Sequence, residues 1–331
     1  MSLTQVEIHE KILYPVTKVM AGNAGGSGVL VHSGEDPNKP GEYINIALTC
    51  QHVIDGAIKV SEQWDNILKK DVKSDVLEEV RIEVFDYDKS KVVSANSTTA
   101  QIIAYDKHHD LAAVKLNNTR PMVNVASIIP KEEIKELQVA DPIWVSGCSL
   151  LHDPFPSPGN LTYLREIIDQ KAYLMQNAPS IFGNSGGGLF HGDSGHLLGL
   201  TSRITSTQLG FGIDIMTWMG FSTHPDRLYE FFEHQELQFL YDANDNYHDA
   251  QHRRESRRHE ALRNLLYVMS KRGMIGISNI SKNHWHPCCQ THPDSPIVNE
   301  GKPSSEGTLK HYRCPRGHDY TSSEPFVLTT T

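Results

Sequence analysis

The sequence holds little cysteine, no long apolar run and no basic start followed by an apolar stretch. Five cysteines among 331 residues, an odd number with Cys288 adjacent to Cys289, exclude the paired framework of a small secreted domain. No segment is apolar for long enough to span a bilayer. The opening MSLTQVEIHEKILYPV lacks a signal-peptide pattern, so the expectation is a cytoplasmic protein that does not engage a membrane. A formal net charge of −9 argues against nucleic-acid binding by bulk electrostatics. Apolar residues at 38% and charged residues at 21% lie far from the composition of a disordered chain. The length allows a substantial core in two domains, or in one large domain with an appendage.

Short β-rich runs punctuated by Gly, Pro, Asn and Asp fill the chain to about residue 222. GSGVLVHSG, YINIALTC, RIEVFDYD, DLAAVKL, PIWVSG, HLLGLTSRI and GFGIDIM are the clearest. Such spacing predicts barrels or sandwiches. The interval Ser61 to Glu79 breaks the rhythm and reads as a helical or loop insertion. From His224 the pattern changes, with Leu228, Phe231 and Phe232, then Leu262, Leu265, Leu266, Val268 and Met269, at helical spacing. Two helices are expected there. The expected organisation is residues 1–222, a helical linker over 223–273 and a small module over 274–331. No internal repeat of fixed period is present.

Three segments carry chemistry. In FGNSGGGLF, Ser185 lies among small residues just before an apolar strand; the glycines permit tight turns and let the Gly183 and Ser185 amides converge on a developing oxyanion. In ALTCQHVIDGA, His52 stands at the end of an apolar strand, a rigid mount for a general base. In AYDKHHDLAAVKL, Asp110 precedes Leu111, Ala112 and Val114 and would orient the imidazole. Each alone has an ordinary structural explanation as a turn serine, a core histidine or a capping carboxylate. Asp106 competes for the acid's role, and His108 and His109 lie beside it, but Asp110 alone directly precedes the apolar run.

The order His, Asp, Ser, each in its strand-flanking context, resembles the chymotrypsin/trypsin superfamily. GSGVLV, TCQHVI, DLAAVKL and GNSGGG are similar in order and type to the motifs of Deg/HtrA-type and other bacterial or viral members, over about residues 20–220. The resemblance implies an all-β, chymotrypsin-like double six-stranded barrel. After it would come the α-helical segment and the small Cys/His module. It implies a serine endopeptidase working through His52, Asp110 and Ser185, with Gly183 and Ser185 as oxyanion donors and no cofactor for catalysis. Pro179, Ser180, Ile181, Thr201 and Ser202 would line a shallow, mostly apolar substrate pocket suited to small or medium apolar side chains. Two positions depart from the family pattern. Gly188 replaces the usual proline, implying a looser start to the following strand. Asn184 stands where zymogen-derived enzymes carry an aspartate, implying no activation by a new N-terminal amine.

The tail carries HWHPCCQTH and HYRCPRGHDY. Cys288 with His292, and Cys314 with His318, share a C-x3-H spacing and would supply two sulfurs and two imidazoles to a structural zinc ion. Cys289, His284, His286 and His311 compete as ligands. Ordinary thiols and surface histidines are the plainer alternative. Arg253, Arg254, Arg257 and Arg258 crowd one helical stretch; a solvated face paired with Glu255 and Glu260 is the preferred reading over a nucleic-acid contact.

Two functions therefore compete. One is a peptidase acting on a protein or peptide substrate, with a regulatory or assembly partner docking on the last third. The other is a structural or interaction protein, such as a component of a viral particle, using the same scaffold.

Overall fold

A computed structural model describes residues 2–66, 70–209, 212–271, 289, 292, 298–299, 302–304, 307–309, 312–317 and 319–320. Near the N-terminus, Thr4 and Glu7 form a reciprocal cap on helix α1 (Gln5–Ile8), which leads into the strands.

Eight strands come from the first part of the chain: β1 (Val16–Ala21), β2 (Ala24–Glu35), β3 (Tyr43–Thr49), β4 (Ile58–Asp65), β5 (Lys70–Leu77), β6 (Val80–Asp88), β7 (Lys91–Asp106) and β8 (Leu111–Leu116). Six of them close a barrel in the order β1-β2-β3-β8-β7-β6. Six more, β9 (Pro142–Gly147), β10 (Phe155–Ile168), β11 (Lys171–Gln176), β12 (Gly188–His191), β13 (Leu197–Leu209) and β14 (Gly212–Thr223), close a second barrel in the order β10-β11-β14-β13-β12-β9. Every run singled out in the sequence lies on or overlaps one of these strands. Closure removes the exposed edges that an open sheet of this size would present. Val19, Val29, Ile46, Leu48, Ile82 and Leu111 are buried on the first six strands. Ile143, Val145, Leu161, Leu174, Leu189 and Leu198 form the core of the second six.

The insertion from Ser61 to Glu79 lies outside the barrel order, and its expected helical or loop character is corrected. Strands β4 and β5 pair as a two-stranded ribbon. Ile58 and Val60, then Val72, Ser74 and Val76, alternate with polar residues at the period of a strand, and the β-branched side chains favour extended backbone.

The expected helices are present as α3 (Pro225–His234) and α4 (Tyr247–Lys271), after a short α2 (Gln51–Ile54). Leu228, Phe231 and Phe232 on α3 are fully buried. The tail contributes β15 (Val298–Asn299), β16 (Lys302–Ser304), β17 (Gly307–Leu309), β18 (Tyr312–Arg313) and β19 (Asp319–Tyr320). They form a three-stranded sheet, β15-β18-β19, and a β16-β17 pair. No described helix is long and apolar enough to cross a membrane.

Two compact units emerge. The first holds residues 1–58, 77–105 and 109–233, and therefore both barrels and most of α3. The second gathers 59–76, 106–108 and 234–331. Within the second, Arg253 bonds Asp245 and Glu236, and Arg257 bonds Glu236 and the His234 carbonyl. At least these two arginines of the basic stretch have acidic partners, and the partners lie outside α4.

Candidate active site

His52 stands not on the strand itself but in the single turn α2, two residues beyond the N-cap Cys50 that follows β3. Its Nδ1 lies 2.9 Å from both carboxylate oxygens of Asp110, and its backbone N–H donates to Asp110 Oδ1 at 3.0 Å. The Ser202 hydroxyl donates to Asp110 Oδ2 at 2.7 Å. The His52 side chain is 47% exposed and that of Asp110 only 18%, so the imidazole can meet a ligand while its carboxylate partner stays largely covered. Ser202, predicted as a pocket residue, thus has its hydroxyl committed to the carboxylate.

Burial of His52 disfavours the imidazolium, but the hydrogen bond and charge of Asp110 outweigh it and the pKa is raised. Burial also works against the charged Asp110; the hydrogen bond and charge of His52, with the bond from Ser202, reverse that and lower its pKa. The pair is therefore poised as carboxylate and basic imidazole. Cys50, close to this pair, is fully buried and its thiol is pushed well above the ordinary range, which makes it a packing residue and not a thiolate nucleophile.

Asp106, the competing acid, has a different partner. It binds Arg313 at 2.9 and 3.1 Å, leaving Asp110 as the carboxylate joined to His52.

Ser185 sits on a turn whose peptide planes are locked on both sides. Leu150 N–H donates to the Phe182 carbonyl at 2.7 Å, and Gly187 N–H donates to the Asn184 carbonyl at 2.8 Å. In a trans peptide the N–H points opposite the carbonyl, so these bonds fix the directions of the Gly183 and Ser185 amides. Gly183 has φ +94°, and a Cβ there would lie 2.5 Å from both Cys148 O and Leu150 N. Only glycine fits that position.

Ser27 braces the same turn, a role that the sequence reading did not give it. Its hydroxyl donates to Gly183 O at 2.7 Å and accepts Cys148 N–H at 2.7 Å, while its N–H donates to Ser185 O at 2.8 Å. The GSG string carried the signal, since Gly26 lets Ser185 O approach: a Cβ on Gly26 would lie 2.7 Å from it. Asn184, 3% exposed, accepts the Ser149 hydroxyl at 2.6 Å. That bond engages Asn184 Oδ1.

At Gly188, where a looser start to the strand was expected, the pairing with β13 shifts register between Leu189 and Phe190. Gly188 opens β12 in register with Ser146 and Leu200, and a Cβ there would lie 2.3 Å from the Phe190 ring. The aromatic side chain takes the space that a proline ring would need.

Of the other predicted pocket residues, Ser180 and Thr201 are buried, Ile181 is partly buried and Pro179 is exposed. Gln176, not anticipated, donates through Nε2 to Ser180 Oγ at 3.0 Å. A Cβ on Gly220 would lie 2.2 Å from that Nε2 and 3.3 Å from Ser180 Oγ. This cluster is polar and uncharged.

Of the predicted metal ligands, the structure brings together His292 and Cys314 with Cys289, the alternative to Cys288. All three are buried and their ligand atoms lie within 4.8 Å of one another. His292 Nδ1 is 3.8 Å from Cys289 Sγ and 3.9 Å from Cys314 Sγ, and His292 N–H donates to Cys289 Sγ at 3.4 Å. Cys288, His318, His284, His286 and His311 lie outside the described residues.

No curated protein sequence matches the chain. Among solved structures, an HtrA-type protease solved with a tripeptide aligns at 15% identity with a TM-score of 0.47, over 70% of this chain and 63% of that one. The chain thus covers less than two thirds of that protein's length. A family model described as the trypsin-like peptidase domain matches residues 26–200, more than half of the chain and the whole interval from Ser27 to Ser185. On that match, the chain belongs to the trypsin-like peptidase family.

Proposed function

We propose that the chain is a serine endopeptidase with His52, Asp110 and Ser185 as its triad. The paired bonds between His52 Nδ1 and Asp110, at 2.9 Å, carry this reading. They hold the imidazole in the tautomer that keeps its proton on Nδ1 and its lone pair on Nε2. Nε2 takes the hydroxyl proton as Ser185 Oγ attacks the scissile carbonyl. The oxyanion is received by the Gly183 and Ser185 amides, whose directions the Phe182 and Asn184 carbonyl bonds set. The imidazolium then protonates the leaving amine, an acyl-enzyme remains, and water activated by His52 releases the acid and restores Ser185.

Pro179, Ser180, Ile181 and Thr201 line the proposed pocket, with Gln176 as its uncharged polar neighbour. No carboxylate stands in this group to receive Lys or Arg, and Pro179 and Ile181 favour small or medium apolar side chains before the cut. A peptide library should show such residues, and dominant cleavage after Lys or Arg would refute the pocket assignment.

The Cys289, His292 and Cys314 cluster is read as a structural zinc site. Zinc bonds of about 2.3 Å to sulfur and about 2.0 Å to nitrogen place tetrahedral ligands roughly 3.6 Å apart. The distances of 3.8 and 3.9 Å fall a few tenths outside that. Cys288 or His318 would complete four ligands. Such an ion would organise strands too short to hold themselves.

The decisive experiment is fluorophosphonate labelling of the native chain beside Ser185→Ala. Labelling of the native chain alone supports the peptidase. A folded native chain that never labels would favour the scaffold reading.

A further inference from the structure

Asp106 and Asp110 lie at the two ends of one turn. Asp106 closes β7, and Asp110 immediately precedes β8 with φ +55°, a left-handed backbone that a non-glycine residue keeps only when its surroundings impose it. The turn is held at several points. Within the first unit, the Arg227 guanidinium donates to the His109 carbonyl. Within the second unit, Arg313 Nη1 donates to both oxygens of Asp106, with side chains 2% and 0% exposed. Asp106 Oδ1 also accepts His108 N–H at 2.8 Å, and Lys107 N–H donates to Pro315 O at 3.1 Å.

Arg313 lies on β18, the central strand of the three-stranded sheet, paired with Val298 and Asp319. The next residue is Cys314, a member of the Cys289, His292 and Cys314 cluster. Strands of two residues supply few ladder bonds, so whatever joins these three donors also fixes the position of Arg313. Without Arg313, the carboxylate of Asp106 would be buried without its counter-charge, a state that a chain escapes by moving or hydrating the group.

We propose that Arg313 is a positioning residue for Asp110, acting through Asp106, and that a zinc-class divalent ion on Cys289, His292 and Cys314 sets whether it is in place. The metal then regulates a reaction in which it takes no chemical part. This inference rests on the reading of Asp110 as the triad carboxylate and of the cluster as a metal site.

The test uses the full chain with zinc bound, with zinc removed by chelation, and with zinc restored. Amide hydrogen exchange at Lys107 and His108 reports the turn directly, and the rate of Ser185 labelling by a fluorophosphonate reports the site. Zinc removal should speed exchange at both amides about tenfold or more and slow labelling by a similar factor, while amides of β12 stay protected; restored zinc should reverse both. Arg313→Met should reproduce both effects with its zinc content unchanged. Should that variant fold poorly, Asp106→Asn with Arg313→Met removes both charges yet retains an acceptor for His108 N–H. In this double variant exchange at His108, whose N–H rests on residue 106 and not on Pro315, should be the same with and without zinc.

Exchange at Lys107 and His108 that ignores zinc in the native chain would overturn the proposal, as would a double variant whose His108 exchange still follows zinc. A native chain whose turn follows zinc but whose Ser185 never labels would leave the coupling standing and remove the peptidase reading.

Discussion

Ser202 donates its hydroxyl to Asp110 Oδ2 at 2.7 Å, on the carboxylate whose other oxygen receives the His52 backbone N–H at 3.0 Å. The carboxylate is thus held from two elements, β13 and α2, before any substrate arrives. A hydrogen bond to a charged group is worth about 1.5 to 3 kcal/mol. Ser202→Ala should therefore lower kcat about tenfold with little change in KM, as measured by steady-state hydrolysis of a peptide ester. An unchanged kcat would show that the Ser202 bond is not needed to orient Asp110.

The raised pKa of His52 fixes a direction for the pH dependence. On the proposed triad its neutral form is the base, so the acylation rate should rise with pH through a midpoint above the ordinary value of about 6.5, and Asp110→Asn should move that midpoint down. The sign for stability is opposite: a histidine whose pKa is raised by folding adds stability that is fully present below its unfolded pKa and is lost as pH rises through the folded one. A pH series of labelling rates beside thermal melts would separate the two.

Ser27→Ala should deprive Gly183 O of its donor and Cys148 N–H of its acceptor in a covered site. Leaving such groups unsatisfied costs about 1 to 3 kcal/mol. A lower melting temperature should accompany slower labelling, because the same hydroxyl braces the turn that carries Ser185. Equal melting temperatures would deny Ser27 that role.

Purified full-length chain should carry about one zinc per molecule by elemental analysis, as expected for one closed tetrahedral site. Cys289→Ala and Cys314→Ala should each abolish it. Cys288→Ala tests the fourth ligand: loss of zinc would place Cys288 in the site, and retention would leave His318, His284, His286 and His311 as the candidates.

The sequence by itself determined the strand rhythm and three short motifs, because strand periodicity, glycine at tight turns and a polar residue beside an apolar run are local properties. Thus His52, Asp110 and Ser185 could be named as candidates, and Gly183 with them. The β4-β5 ribbon was misjudged because short runs of mixed polarity carry weak periodicity until they find a partner. What tertiary structure decided was pairing across distance. Ser27 reaches Gly183 across 156 positions, and Ser202 reaches Asp110 across 92. Asp106 is paired with Arg313, 207 positions away, while Asp110 is joined to His52. A buried carboxylate takes the nearest counter-charge or donor that the fold supplies, and the neighbouring residues in the chain cannot say which one that will be.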